Sequence, residues 1–157
     1  MTRIKEKFTA LESQNQKALI AYIMVGFPNE KATISTVRGL VKGGVDIIEL
    51  GFPFSDPLAD GPVIQNASTI SLQKGANIAK FFSLVKKIRK ETDVPIVLMT
   101  YTNILYNKGY AKFIAEATKA GIDGFILPDM SIEESKDYLL AAKSKADTIF
   151  LISPNTS

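Results

Sequence analysis

Between residues 49 and 62 the chain reads ELGFPFSDPLADGP, which places Glu49, Asp56 and Asp60 among a serine and three prolines. The 157 residues contain no histidine and no cysteine. Imidazole, thiolate and disulfide chemistry are therefore excluded, and acid–base work falls to carboxylates, tyrosines and lysines. Glu49 is the first candidate, because it interrupts the apolar run VDIIELGF. Period-two alternation puts it on one face with Ile47, while Ile48 and Leu50 form the other. Helices covering the all-apolar face would leave Glu49 pointing inward. Burial there disfavours the charged form and raises the carboxyl pKa, as a proton donor near neutral pH requires. The same side chain could instead tie down loop backbone. Asp56 precedes Pro57 and Asp60 precedes Gly61, both ordinary turn settings. Pro53, Pro57 and Pro62 restrict that loop. Following an inward glutamate, it could also carry its acids over a cavity, where they would orient a substrate N–H or hydroxyl.

Other polar groups fall just after apolar runs. Tyr22 shares a face with Ile20 and Met24, so it can fill a core or wall an aromatic pocket. Asn103 follows Tyr101 and can cap local backbone, and Asp129 after Pro128 can cap the next helix. With neither histidine nor cysteine, only an all-oxygen metal site is open. No calcium-loop pattern occurs, so no metal is expected.

These residues hang on a regular alternation. A short amphipathic helix is expected at about 3–14 from Ile4, Phe8 and Leu11. Strands are expected at 18–28, 45–52, 94–101, 123–129 and 147–153. Between them, Asn29 caps a helix stopped by Gly43-Gly44, and residues 76–91 and 109–120 have helical periodicity. Ser131 with Glu134 forms a capping box for a helix through Ala142. The pattern (βα)4β5 with near-continuous apolar strands predicts a parallel sheet under helices. An open doubly wound sheet and part of a (β/α)8 barrel both fit the spacing. Every strand delivers polar residues at its C-terminal end, from Gly26-Phe27-Pro28 to Ser153–Ser157, which is barrel usage, and no GxGxxG or Walker motif favours the open sheet.

The length suits one domain over residues 1–157. A full barrel needs roughly 250 residues, so five strands leave parallel edges and an apolar inner face uncovered. Composition is that of a soluble protein, with 46% apolar residues, 22% charged residues and a net charge of +3. The basic cluster Lys86, Lys87, Arg89 and Lys90 reads as a solvated helix face, and no nucleic-acid partner is expected. No apolar run reaches membrane-span length, and the N-terminus lacks signal-peptide organisation. The expected location is the cytoplasm, away from any membrane.

The segment ELGFPFSDPLADGPVIQNA, residues 49–67, resembles the signature of the tryptophan synthase alpha subunit family. AYIMVGFP at 21–28, MTYTNILYNKG at 99–109 and GIDGFILPD at 121–129 resemble further family blocks in the same order. The resemblance covers essentially the whole chain and implies a (β/α)8 TIM barrel, of which this chain supplies (βα)4β5. It also implies a carbon–carbon lyase of tryptophan biosynthesis that cleaves indole-3-glycerol phosphate to indole and glyceraldehyde 3-phosphate. By resemblance, Glu49 is the acid–base residue and Asp60 accepts the indole N–H. Tyr22, Tyr101, Ile126 and Ile152 line the indole pocket. Pro53, Asp56 and Asn103 lie at the interface with a beta subunit in an alpha2-beta2 assembly. No cofactor is implied for this chain, since pyridoxal phosphate belongs to the beta partner. The family's phosphate-binding loops follow strands six to eight, outside this sequence. A catalytically inactive half-barrel that folds or self-associates, and another phosphate-substrate barrel enzyme, are the competing readings.

Overall fold

The five expected strands form one parallel sheet in the computed structural model of the chain, which describes residues 2–152 and Pro154. They are β1 (Ile20–Met24), β2 (Ile47–Gly51), β3 (Ile96–Met99), β4 (Gly124–Ile126) and β5 (Asp147–Ile149). Their spatial order is β1-β2-β3-β4-β5, with every pair parallel. A doubly wound sheet reverses strand order at its switch point. This sheet never reverses, so the order matches one side of a (β/α)8 barrel. The strands are shorter than the apolar runs that encode them. Ser153, the last residue of the expected fifth strand, lies outside the described residues.

Seven helices occur among the described residues: α1 (Arg3–Ser13), α2 (Glu30–Lys42), α3 (Pro62–Gln73), α4 (Ile78–Arg89), α5 (Thr102–Lys108), α6 (Tyr110–Ala120) and α7 (Lys136–Ala142). Asn29 accepts from Ala32 N at 2.9 Å and starts α2, which ends at Gly43. Gly121 ends α6 with a φ of 114°, a conformation that favours glycine.

Two helices depart from the sequence expectation. α3 buries only Ala67, Ser68 and Ser71, so it has no apolar stripe for periodicity to find. Pro62 at its first turn is its one local signal. α5 spans seven residues and buries only Leu105. The Ser131–Glu134 pair forms, with Glu134 N donating to Ser131 Oγ at 3.3 Å, but it closes only a turn. The buried Ser135 turns its hydroxyl back onto Ile132 O at 2.6 Å, and α7 starts one residue later.

The helices cover one face of the sheet. Ile48, Leu50, Ile96, Leu98 and Phe125 point into that layer and meet Phe81, Leu84, Val85, Ile88, Phe113 and Ile114 of α4 and α6. Each fully buried side chain of this size contributes about 1.5–3 kcal/mol relative to exposure. The other face carries a small cluster of Ile4, Ile47, Val97 and Ile126. Ile4 belongs to α1, which closes the N-terminal end of the sheet. A Cβ on Gly124 would meet Ile4 Cδ1 at 2.9 Å, so glycine there admits the plug.

Arg89 departs from the reading of its cluster as a solvated face. Lys86, Lys87 and Lys90 are exposed, but Arg89 turns inward. It donates to Gly121 O at 2.6 Å and Val94 O at 2.8 Å, and pairs with Asp123 at 2.7 Å. Asp123 also accepts from Arg3 at 2.9 Å and from Ile96 N at 2.8 Å. One carboxylate thus joins α1, α4, β3 and the turn before β4. Arg89→Met is expected to lower unfolding free energy by about 3 kcal/mol, because it leaves a buried carboxylate short of its main partner. Urea denaturation checks this, and an unchanged midpoint would make the network dispensable.

Candidate functional site

The inner face is set by register. Tyr22 stands opposite Glu49, Glu49 opposite Val97, and Val97 opposite Gly124. The next residues on that face toward the C-terminal mouth are Met24, Gly51, Met99 and Ile126. Glu49 is half-buried between Ile48 and Leu50, both of which face the helix layer. Burial raises its carboxyl pKa above the ordinary glutamate value, and no partner among the described residues offsets this. No hydrogen bond from a described residue ties Glu49 to loop backbone.

Tyr22 leans toward the mouth across Gly51, where a Cβ would lie 2.6 Å from the tyrosine Cζ. Burial first, then the negative charges of Asp60 and Glu49, push its hydroxyl pKa well up, so it stays protonated. Glu49, Tyr22 and Asp60 therefore share one electrostatic neighbourhood, although the acids come from a strand and a loop.

The loop from Phe52 to Gly61 is pinned at both ends. Near its start, Ser68 Oγ of α3 bonds both Phe54 N and Phe54 O at 2.9 Å. Near its end, Tyr101 Oη accepts from Ala59 N at 2.9 Å, and Gln65 donates to Asp60 O at 2.8 Å. Burial raises the Asp60 pKa, while the Tyr101 hydroxyl beside it pulls in the other direction. Tyr101 is itself buried, with its ring stacked on Phe54 at 5.1 Å. Between the anchors, Asp56 is exposed and accepts from Ser55 Oγ, and Leu58 is 93% exposed. Pro53 is buried at the root of the loop.

Ile126 lies buried on the inner face. Ile152 lies beyond β5, is 78% exposed, and is not gathered with Tyr22, Tyr101 and Ile126. Asn103 is exposed on α5, on the rim that also carries Tyr106. Asp129 does not cap the following helix. Its carboxylate accepts from Thr102 N and Thr102 Oγ1, both at 2.9 Å, and so caps the start of α5 across the mouth. Sequence reasoning missed Ser68 as a loop anchor. Serine is common in helices, and nothing local marks it.

A cleft of about 230 Å³ lies between the β1–α2 loop, α3 and α4, among Val25, Phe52, Ser71 and Phe81. It opens on the helix layer and not on the face carrying Glu49. A cleft of about 350 Å³ runs along the free edge of β1 beside Tyr22, Met24 and Phe27. Among the described residues no group of three acidic side chains is placed to hold a metal. None of their helices is long and apolar enough to cross a membrane.

Sequentially ordered parallel strands, an outer helix layer and acids at the C-terminal mouth define a protein of the (β/α)8-barrel class. A family model described as "Tryptophan synthase alpha chain" matches residues 8–157. The chain is 45% identical over 158 residues to the tryptophan synthase alpha chain of Solibacter usitatus, covering 100% of this chain and 59% of the relative. It is 47% identical over 156 residues to that of Methanosarcina acetivorans, covering 99% and 57%. The crystal structure of tryptophan synthase subunit alpha from Legionella pneumophila superimposes with a TM-score of 0.96 at 38% identity, covering 100% of this chain and 61% of that one. This chain belongs to the tryptophan synthase alpha chain family. It spans about three fifths of the length of the curated relatives it matches.

A carboxyl whose native pKa is raised holds its proton longer when folded than when unfolded. Between the unfolded and folded values stability falls as pH rises, and above both the full cost of the buried charge is present. Glu49→Gln removes that cost. The variant is expected to unfold at higher urea than the parent at pH 7 and to lose this advantage below about pH 4, the ordinary glutamate range. Equal midpoints at both pH values would mean that the ionised carboxylate is well solvated.

Proposed function

We propose that this chain carries the acid–base half of a lyase site for indole-3-glycerol phosphate, and that the half-barrel alone is catalytically silent. The observation that carries the first statement is the convergence of a half-buried Glu49, unpaired among the described residues, with a loop-borne Asp60 around Tyr22. Family membership raises its weight. The second statement rests on the free edges of β1 and β5 and on the exposure of Ile20 and Ile152.

Cleaving the bond between indole C3 and the glycerol chain requires the ring to leave with the bonding electrons. A protonated Glu49 delivers its proton to C3, which makes the ring a cation. Asp60 accepts the indole N–H and stabilises that charge, which is largest at nitrogen. Loss of the proton from the adjacent glycerol hydroxyl to the now ionised Glu49 forms the aldehyde. The carbon–carbon bond breaks, its electrons restore the aromatic ring, and indole leaves. Glu49 ends protonated, as it began. Tyr22, Tyr101 and Ile126 supply flat apolar walls for the ring. Ile152 joins them only in a closed barrel. The phosphate would be held by loops beyond β5.

The outward side of the same loop suits a partner protein. Asp56 and Leu58 project from it, Asn103 lies on the nearby rim, and Pro53 stiffens the root. We assign this rim to a tryptophan synthase beta subunit in an alpha2-beta2 assembly, with pyridoxal phosphate confined to that partner.

Indole release from indole-3-glycerol phosphate tests the reading. The 157-residue chain alone is expected to show no release above the uncatalysed rate. Grafted onto the remaining barrel of the Legionella relative, it is expected to turn over. In that graft Glu49→Gln should cost on the order of 100- to 10,000-fold, and Asp60→Asn should also slow turnover. A fully active Glu49→Gln graft would remove Glu49 from the chemistry, and release by the chain alone would remove the silent half-barrel.

A further inference from the structure

We infer that Tyr101 is a positioning residue for Asp60 and acts through its hydroxyl, and that Asp129 sets Tyr101 in place. The inference rests on the lyase reading for its meaning, but not for its geometry. Three contacts carry it. Tyr101 Oη accepts the N–H of Ala59, the residue directly before Asp60, at 2.9 Å. Having taken that hydrogen, the oxygen has its own proton free to give, and the neighbouring acceptor is the Asp60 carboxylate. The ring cannot swing away, because it is buried and stacked on Phe54 at 5.1 Å with 28° between the planes. Phe54 is fixed in turn by Ser68. Tyr101 therefore grips the loop at two places five residues apart, through its face at Phe54 and its oxygen at Ala59.

Tyr101 also needs support. It is the N-cap residue of α5 and makes no side-chain cap of its own. Its side chain is committed to the loop, so the first-turn donors of α5 require another acceptor. Asp129 supplies it by accepting from Thr102 N and Thr102 Oγ1. The relay runs from the β4–α7 connection, through the start of α5, to the loop after β2. The titratable groups near Asp60 are Tyr101 and Tyr22, and Tyr22 also feels the charge of Glu49.

The test uses the 157-residue chain with Tyr101→Phe, which keeps the ring and removes one oxygen. Amide exchange by NMR at Ala59 is expected to accelerate about five- to tenfold, the loss of one hydrogen bond. Exchange at Phe52, whose N–H bonds Met99 O at 2.9 Å, should stay unchanged and report an intact sheet. The Asp60 side-chain carbon should titrate at higher pH in the variant, because a donor to its ionised form is gone. A tyrosine that only fills space would leave that titration in place. Asp129→Asn should accelerate Ala59 exchange less than Tyr101→Phe does. Unchanged Ala59 exchange, or an unchanged Asp60 titration with Phe52 protected, overturns the inference. Neither readout involves turnover, so failure of the lyase reading shows separately in the indole assay.

Discussion

A strand has two faces, and in β2 both are committed. Ile48 and Leu50 are needed under α4 and α6, so alternation fixes Glu49 on the opposite side, where it is half-buried. Shifting the register by one residue would bury the carboxylate among phenylalanines and expose two large apolar side chains. The position of the acid is thus enforced by the whole helix layer and not by a bond from any described residue to the acid itself. That freedom suits the proposed proton donor, whereas a salt bridge would hold it ionised.

The second acid is placed by a different means. Asp60 sits on a loop with no core of its own, and side chains from neighbouring elements hold that loop. Ser68 of α3 fixes Phe54, Tyr101 at the start of α5 fixes Ala59, and Gln65 fixes the Asp60 carbonyl. A strand thus holds Glu49, and side chains from neighbouring elements hold the loop that carries Asp60. At the other end of the sheet, Asp123 ties α1, α4 and β3 together. The Asp123 network thus lies at the N-terminal end of the sheet and the candidate acids at its mouth, the division expected of a barrel.

Most of this was legible from residue order. The apolar runs 18–28, 45–52, 94–101, 123–129 and 147–153 located the five strands, and period two gave the inward direction of Glu49. The caps at Asn29 and Gly121 were local and readable. α3 was hidden because its buried face is alanine and serine, and α5 because seven residues are too few for periodicity. Arg89 was misread because its neighbours are solvated lysines, and only the fold brings Asp123 and Gly121 to it. Asp129 was read as a cap for the wrong helix, since its partner Thr102 lies 27 residues away. Local chemistry names the type of role, while its partner depends on which strands become neighbours.

The central claim is that β2 presents a half-buried glutamate carboxyl with no countercharge among the described residues. The most direct measurement is the titration of the Glu49 side-chain carbon by NMR in the 157-residue chain. The account predicts a midpoint clearly above that of ordinary glutamates, about 4.3. A midpoint at or below theirs would mean that Glu49 is solvated or paired, and would contradict the proposed proton donor.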